Sequence, residues 1–126
     1  IQQEAERCIE LWGSTGKAEA LLSSCRPMHP VDHVILYNTK DLDADGIKAM
    51  MAEGKRVLSA IPGVRDVFTG DVVQEDGDYR HCWVVRFTDR SVIDSYRVHP
   101  DHQQFADTHF RPYADGRISL DYEKST

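Results

Sequence analysis

The sequence has no long apolar run, no excess of basic side chains and few cysteines. No segment approaches the roughly 18 apolar residues of a membrane-spanning helix, and no basic stretch leads into an apolar one as in a secretory signal. The 15 basic and 21 acidic side chains give a net charge of −6, with no basic stripe to neutralise a nucleic acid backbone. The three cysteines, Cys8, Cys25 and Cys82, lack a disulfide or zinc spacing. We therefore expect a cytoplasmic protein with reduced thiols and neither nucleic acid nor membrane as a partner.

The chain is long enough for one globular domain with a buried core, since 40% of its 126 residues are hydrophobic. Apolar residues three and four apart between Ala5 and Trp12 predict a helix near the start of the chain. The prolines of residues 26–30 favour an extended backbone there. We therefore divide the chain into an N-terminal helical extension with its linker, residues 1–30, and one domain, residues 31–126.

Strand-like and helical patterns alternate along residues 31–126. They predict a strand through His33–Tyr37, followed by a helix that is capped by Asp43 and stopped by Ile61-Pro62-Gly63. Two further strands follow, over Val64–Val73 and Tyr79–Phe87, joined by a turn at Glu75–Asp78. A second helix runs from Asp89 or Ser91 to Tyr96 and resumes at Asp101 after Pro100, and the last strand covers Gly116–Tyr122. The order βαββαβ is that of the α+β ferredoxin-like fold, an antiparallel four-stranded sheet with helices on one face.

The other face of such a sheet needs a cover. A two-fold axis lets an apolar face bury itself against its own copy, so we favour a homodimer through the sheet face. The N-terminal helical extension is the alternative cover.

Two strands carry a histidine among apolar side chains on one face. His33 alternates with Ile35 and Tyr37, and His81 alternates with Trp83, Val85 and Phe87. Such a face suits the wall of a half-polar cavity in which the histidines position a carbonyl group. The alternative is that both histidines are hydrogen-bonded core residues without a ligand.

Tyr96 and His102 lie on either side of Pro100. Histidine accepts a proton near neutral pH, whereas a tyrosine hydroxyl, with a pKa of ~10, stays protonated and donates a hydrogen bond. The pair could therefore remove a proton next to a carbonyl and stabilise the resulting oxyanion. The structural alternative is that Tyr96 packs in the core and His102 bonds a backbone carbonyl at the bend.

Metal binding is a further alternative. His99 and His102 are three residues apart, and His109 follows seven residues later. Asp101 and Asp107 could supply a third ligand, but Pro100 disturbs the helical register. We therefore predict no metal site and no cofactor, and we keep haem or metal binding as the last alternative.

The string Tyr96-Arg97-Val98-His99-Pro100-Asp101-His102-Gln103-Gln104-Phe105, with His33-Val34-Ile35-Leu36-Tyr37 and Ile61-Pro62-Gly63-Val64, resembles the stress-responsive A/B barrel (Dabb) family. The resemblance covers His33–Tyr122 and implies a dimeric α+β barrel of ferredoxin-like subunits. It also implies a pocket for a small apolar ligand in each subunit.

A characterised plant member, olivetolic acid cyclase, closes a linear polyketide thioester without a cofactor. The resemblance implies that Tyr96 and His102 are catalytic. It further implies that a substrate contacts His33, His81, Ile35, Tyr37, Met51 and Trp83. A pocket tyrosine of that enzyme falls at Gly54, and Met50, Met51 and Trp83 replace residues of its alkyl pocket. The implied function is acid–base chemistry of the aldol or cyclase type on a small carbonyl or polyketide-like compound. A non-catalytic stress-related or ligand-binding barrel is the alternative.

Overall fold

A computed structural model describes residues 29–125, so the predicted N-terminal helical extension lies almost wholly outside the described residues. The elements are strand β1 (Val31–Thr39), helix α1 (Ala44–Ser59), strands β2 (Val64–Asp71) and β3 (His81–Phe87), helices α2 (Val92–Val98) and α3 (Pro100–Phe105), a π-helical turn (Ala106–Phe110) and strand β4 (Ala114–Glu123). The strands form one antiparallel sheet in the order β2-β3-β1-β4. The predicted α+β ferredoxin-like fold is confirmed.

The two faces of the sheet differ in what covers them. Alternate residues of the two central strands point towards the helices and are buried, among them Val31, Trp83, Val85 and Phe87. The opposite face carries exposed large apolar side chains, namely Phe68, Ile118, Leu120 and Tyr122. Within residues 29–125, no helix has the length and apolarity needed to cross a membrane.

Helix α1 begins as the sequence predicts and ends slightly earlier. The Asp43 carboxylate accepts a hydrogen bond from the backbone N–H of Gly46 at 2.7 Å, which caps the first turn. The helix ends at Ser59 instead of Ile61, because the N–H groups of Ala60 and Ile61 bond to carbonyls only three residues back. Gly63 then takes a φ of +90°, a left-handed conformation that glycine adopts without strain.

The β2–β3 hairpin differs from its predicted bounds. β2 ends at Asp71 and β3 begins at His81, because a longer loop replaces the paired ends. The Asn38 side chain holds this loop, accepting from the N–H of Arg80 at 2.8 Å and donating to the carbonyl of Asp78 at 2.9 Å. On the outer face of β3, Cys82 and Val84 are partly buried. Arg86 is exposed on the outer face, where it forms a bidentate ion pair with Asp32.

Trp83 lies at the centre of the core and depends on Gly54 of α1. A Cβ atom at Gly54 would lie closest to the Trp83 ring and only 2.7 Å from Cζ of Phe105. The two rings meet edge to face, with centroids 5.9 Å apart. Gly54 has no side chain, and the two aromatic rings therefore occupy the space that a side chain at this position would fill.

We predict that Gly54→Ala lowers the free energy of unfolding by about 1–3 kcal/mol, because two buried rings must shift. Gly46→Ala in the same helix is the matched control. A Cβ there would lie 3.0 Å from the end of the Leu42 side chain and 3.2 Å from Oδ1 of Asp43, and both of these are the ends of flexible side chains. Urea unfolding of both variants measures the difference. Equal stabilities of the two alanine variants would contradict this account of the core.

The Tyr37 hydroxyl is the one fully buried side-chain nitrogen or oxygen atom of residues 29–125 that lacks a hydrogen-bond partner. Its ring is fully buried, stacked on Trp83 and edge-on to Phe110. Burial raises the pKa of its hydroxyl above the ordinary value, so the group stays protonated. An unpaired buried hydroxyl costs folding free energy.

Tyr37→Phe is therefore expected to stabilise the protein, by about 1 kcal/mol, because the variant buries no unpaired polar group. Tyr79→Phe, in the hairpin loop, is the control and should leave the stability unchanged. Thermal and urea unfolding measure both. A loss of stability in Tyr37→Phe would mean that this hydroxyl has a bonding partner in solution.

Candidate functional site

A break in the second helical segment builds the site. Pro100 has no N–H group, so the helix cannot continue from α2 into α3. His99 takes an extended backbone, with φ −62° and ψ 134°, and its Nδ1 atom accepts a hydrogen bond from the N–H of Asp101 at 3.1 Å. The predicted start of the second piece at Asp101 is corrected: α3 begins at Pro100, and His99 caps it.

The break frees the backbone carbonyl of Arg97. In a continuous helix this oxygen would accept from the N–H of Asp101, which here bonds to His99 instead. It accepts from Gln103 Nε2 at 2.5 Å and from His102 Nδ1 at 3.0 Å. Because a carbonyl can only accept, we assign the proton of the neutral His102 ring to Nδ1. Nε2 is then left as a proton acceptor.

Burial keeps the His102 ring neutral. Desolvation lowers the pKa of His102 below its ordinary value of 6.5, and the nearby positive charge of Arg111 acts in the same direction. The hydrogen bond to the Arg97 carbonyl opposes this shift without cancelling it. At neutral pH the imidazole is therefore an uncharged base.

Tyr96 lies beside this base. Its ring centroid is 4.4 Å from that of His102, and the tyrosine is only 3% exposed. Its other ring neighbours are Phe87 at 4.8 Å and His33 at 5.8 Å. Desolvation raises the pKa of the Tyr96 hydroxyl above its ordinary value of 10.0, so it remains a donor. The structure thus brings the predicted donor and base together.

His33 joins this group with a partner that the sequence analysis missed. Its Nδ1 atom lies 2.6 Å from a carboxylate oxygen of Asp121, which is directly opposite His33 in the β1–β4 pairing. We name these four residues, His33, Tyr96, His102 and Asp121, the Tyr96 cluster. The alternation in β4 already placed Asp121 on the face opposite Ile118 and Leu120, but only the strand register shows which residue it meets.

His81 and Tyr37 form a separate group further along the same sheet face. His81 Nδ1 lies 2.8 Å from a carboxylate oxygen of Asp71 on β2, and its ring centroid is 5.5 Å from that of Tyr37. Met51 of α1 packs in the core. Thus four of the six predicted substrate contacts do not line the cavity beside Tyr96 and His102, namely His33, Tyr37, Met51 and His81.

A small cavity adjoins Tyr96 and His102. Its volume is about 30 Å³. It is lined by Ile35, Leu58, Trp83, Val85, Tyr96, His102, Phe105, Ala106 and Phe110. Such a volume is about that of one water molecule in the liquid. Trp83 and Phe105, packed against Gly54, fill the remaining space.

The three histidines of the metal hypothesis do not converge. Nδ1 of His99 caps α3, Nδ1 of His102 bonds to the Arg97 carbonyl, and His109 packs its ring on Phe105 at 5.6 Å. Among residues 29–125, no group of three or more His, Cys, Asp or Glu side chains is arranged to hold a metal ion.

Several solved structures share this fold. A Dabb family protein with a ferredoxin-like fold from Mesorhizobium loti has a TM-score of 0.70 and 23% identity, over 79% of this chain and 100% of that one. A dimeric ferredoxin-like protein from Thermobifida fusca has a TM-score of 0.67 and 18% identity, over 77% and 92%. The hydroxynitrile lyase of Passiflora edulis has a TM-score of 0.69 and 17% identity, over 79% and 96%. At these identities the similarity establishes the fold.

No curated protein matches the sequence. The sequence does match the family described as Stress responsive A/B Barrel Domain, abbreviated Dabb, over residues 31–124. This span contains all four strands and the helices that pack on them. The chain therefore belongs to the stress-responsive A/B barrel domain family.

Proposed function

We propose that the protein binds a small, mostly apolar carbonyl compound in each subunit and performs cofactor-free acid–base chemistry on it. The observation that carries this proposal is the Tyr96–His102 pair at the inner cavity. It combines a base held neutral by burial with a donor held protonated by burial. A base and an acid in contact at an apolar cavity are the groups that proton transfer next to a carbonyl requires.

The proposed reaction makes or breaks a carbon–carbon bond next to a carbonyl. His102 Nε2 takes a proton from the carbon beside the carbonyl, and the C–H electron pair becomes the enolate. The Tyr96 hydroxyl donates a hydrogen bond to the enolate oxygen. The enolate carbon attacks a second carbonyl, and the new alkoxide takes the proton back from the His102 imidazolium. His33, bonded to Asp121, packs its ring beside Tyr96 without lining the cavity, and we assign it the role of positioning that ring.

The family resemblance supports this assignment, because Tyr96 and His102 match the catalytic tyrosine and histidine of olivetolic acid cyclase. One structural neighbour is a hydroxynitrile lyase, so the fold can accommodate an enzyme. The cavity of about 30 Å³ is smaller than acetophenone and smaller still than a linear polyketide chain, so either ligand binds only if a lining side chain moves.

The test is α-proton exchange of acetophenone in D₂O, followed by NMR. We expect Tyr96→Phe and His102→Gln each to lower the rate by about 10²-fold or more, as for loss of a general acid or base. Tyr79→Phe is the control and should keep the wild-type rate. The rate should fall as the pH drops below 6.5, the ordinary histidine value, because protonation removes the base.

Equal rates in the wild type and in the Tyr96 and His102 variants would contradict the catalytic proposal. That result would leave the second candidate function, which is a non-catalytic barrel that serves as a stable or ligand-holding dimer. The observation that favours this candidate is the nearly filled cavity, in which Trp83 and Phe105 leave room for one water.

The same proposal includes a homodimer through the outer face of the sheet. Neighbours of this fold from Thermobifida fusca, Bacteroides fragilis and Jannaschia are described as dimeric. On the outer face Phe68, Ile118, Leu120 and Tyr122 are each more than 40% exposed. Large apolar side chains that share one face are typical of an interaction surface.

We predict that Leu120→Asp converts the dimer to a monomer, because it places a charge in the proposed apolar interface. Val98→Asp is the matched control. Val98 is 66% exposed, against 48% for Leu120, but it lies on the helical side of the molecule. Sedimentation velocity measures the mass of both. A wild-type monomer, or a dimer that survives Leu120→Asp, would refute this interface.

A reducing, cytoplasmic location is part of the proposal. The supporting observation is chemical: Cys82 is a free thiol on the outer face of β3. Burial raises the pKa of this thiol, which keeps it in the less reactive protonated form.

A further inference from the structure

We infer that Phe105 is a gate: it separates the inner cavity from a larger crevice, and its movement decides which ligands reach Tyr96 and His102. The inference rests on the proposed function, because it concerns access to the same pair. It assigns to the crevice a role as the outer part of one binding site.

The crevice lies between α1 and the segment formed by α3 and the π-helical turn. Its volume is about 350 Å³. It is lined by Glu53, Arg56, Val57, Ala60, Asp101, Gln104, Phe105, Thr108 and His109. Of the described residues, Phe105 alone lines both this crevice and the inner cavity. Its ring therefore stands where the two spaces would join.

Phe105 lies at a junction in the helical segment. It is the last residue of α3, and a π-helical turn, a local irregularity of the helix ladder, begins at Ala106. Its ring meets Trp83 edge to face and lies against Gly54, where a Cβ atom would be 2.7 Å from its Cζ. On its crevice side it contacts the exposed ring of His109. A rotation away from Gly54 would connect the cavity to the crevice.

The charges of the crevice indicate the ligand that fits. Arg56 is neutralised by a bidentate ion pair with Glu53, at 2.9 and 2.6 Å. Asp101 adds a second carboxylate to the crevice, and Gln104 offers an amide. This rim does not attract an anion. We therefore expect a neutral carbonyl compound that passes Phe105 with its carbonyl group leading, so that this group reaches Tyr96 and His102.

The experiment measures binding of acetophenone, and of its charged analogue 4-acetylbenzoate, to the full chain by NMR line shape. Phe105→Ala should bind acetophenone with an association rate about tenfold above that of the wild type, because it removes the cost of opening the gate. 4-Acetylbenzoate should bind more weakly than acetophenone to every variant.

Phe110→Ala is the matched control. Phe110 is as buried as Phe105 and also lines the cavity, but it does not line the crevice. This variant enlarges the cavity without opening it to the crevice, so its association rate should stay at the wild-type value. If Phe105→Ala fails to fold, Phe105→Leu makes the same comparison with a smaller opening.

Binding with equal association rates in both alanine variants would overturn the gate and leave the proposed function standing. The absence of acetophenone binding to every variant would overturn the gate and remove the ligand-binding proposal with it. Tighter binding of 4-acetylbenzoate would overturn the assignment of a neutral ligand.

Discussion

The hydrogen bond between the Arg97 carbonyl and His102 Nδ1 is the interaction on which the candidate site depends. It exists because Pro100 interrupts the helix and His99 takes the N–H that this carbonyl would otherwise bond. One carbonyl thereby fixes the orientation and the tautomer of an imidazole. Without the break, Tyr96 and His102 would lie on different faces of one helix, since six residues do not complete whole turns.

The sheet supplies the other half of the cluster through its register. The pairing of β1 with β4 places a carboxylate at hydrogen-bonding distance from His33, and the pairing of β2 with β3 does the same for His81. The two histidines thus have similar partners but different neighbours. His33 contacts the ring of Tyr96, whereas His81 contacts the buried ring of Tyr37. The proposed site includes His33 and its partner Asp121, and it does not include His81.

The sequence was sufficient for the order of the elements and for the bend, because both follow from local signals. Alternation identified the faces of β1 and β3, Asp43 marked the start of α1, and Pro100 marked the interruption. Pairing between distant residues carries no such signal. The partnership of His33 with Asp121 and the separation of His81 from Tyr96 depend on strand register and on ring packing.

Packing also explains why the pocket is smaller than the family resemblance implies. The glycine at position 54 opens space in α1, but the rings of Trp83 and Phe105 take it up. The side chains at positions 54, 83 and 105 therefore share one fixed volume of the core, so a larger residue at one position requires a smaller one at another. A large residue in β3 compensates for a small one in α1, and the remaining space is a cavity of about 30 Å³ beside Tyr96 and His102.

The most direct test of the account is the tautomer of His102, read from the ¹⁵N chemical shifts and long-range ¹H–¹⁵N couplings of its ring as the pH is varied. The account predicts a neutral ring protonated at Nδ1, with a pKa below 6.5. A ring protonated at Nε2, or one that titrates above 6.5, would show that no free base faces the cavity.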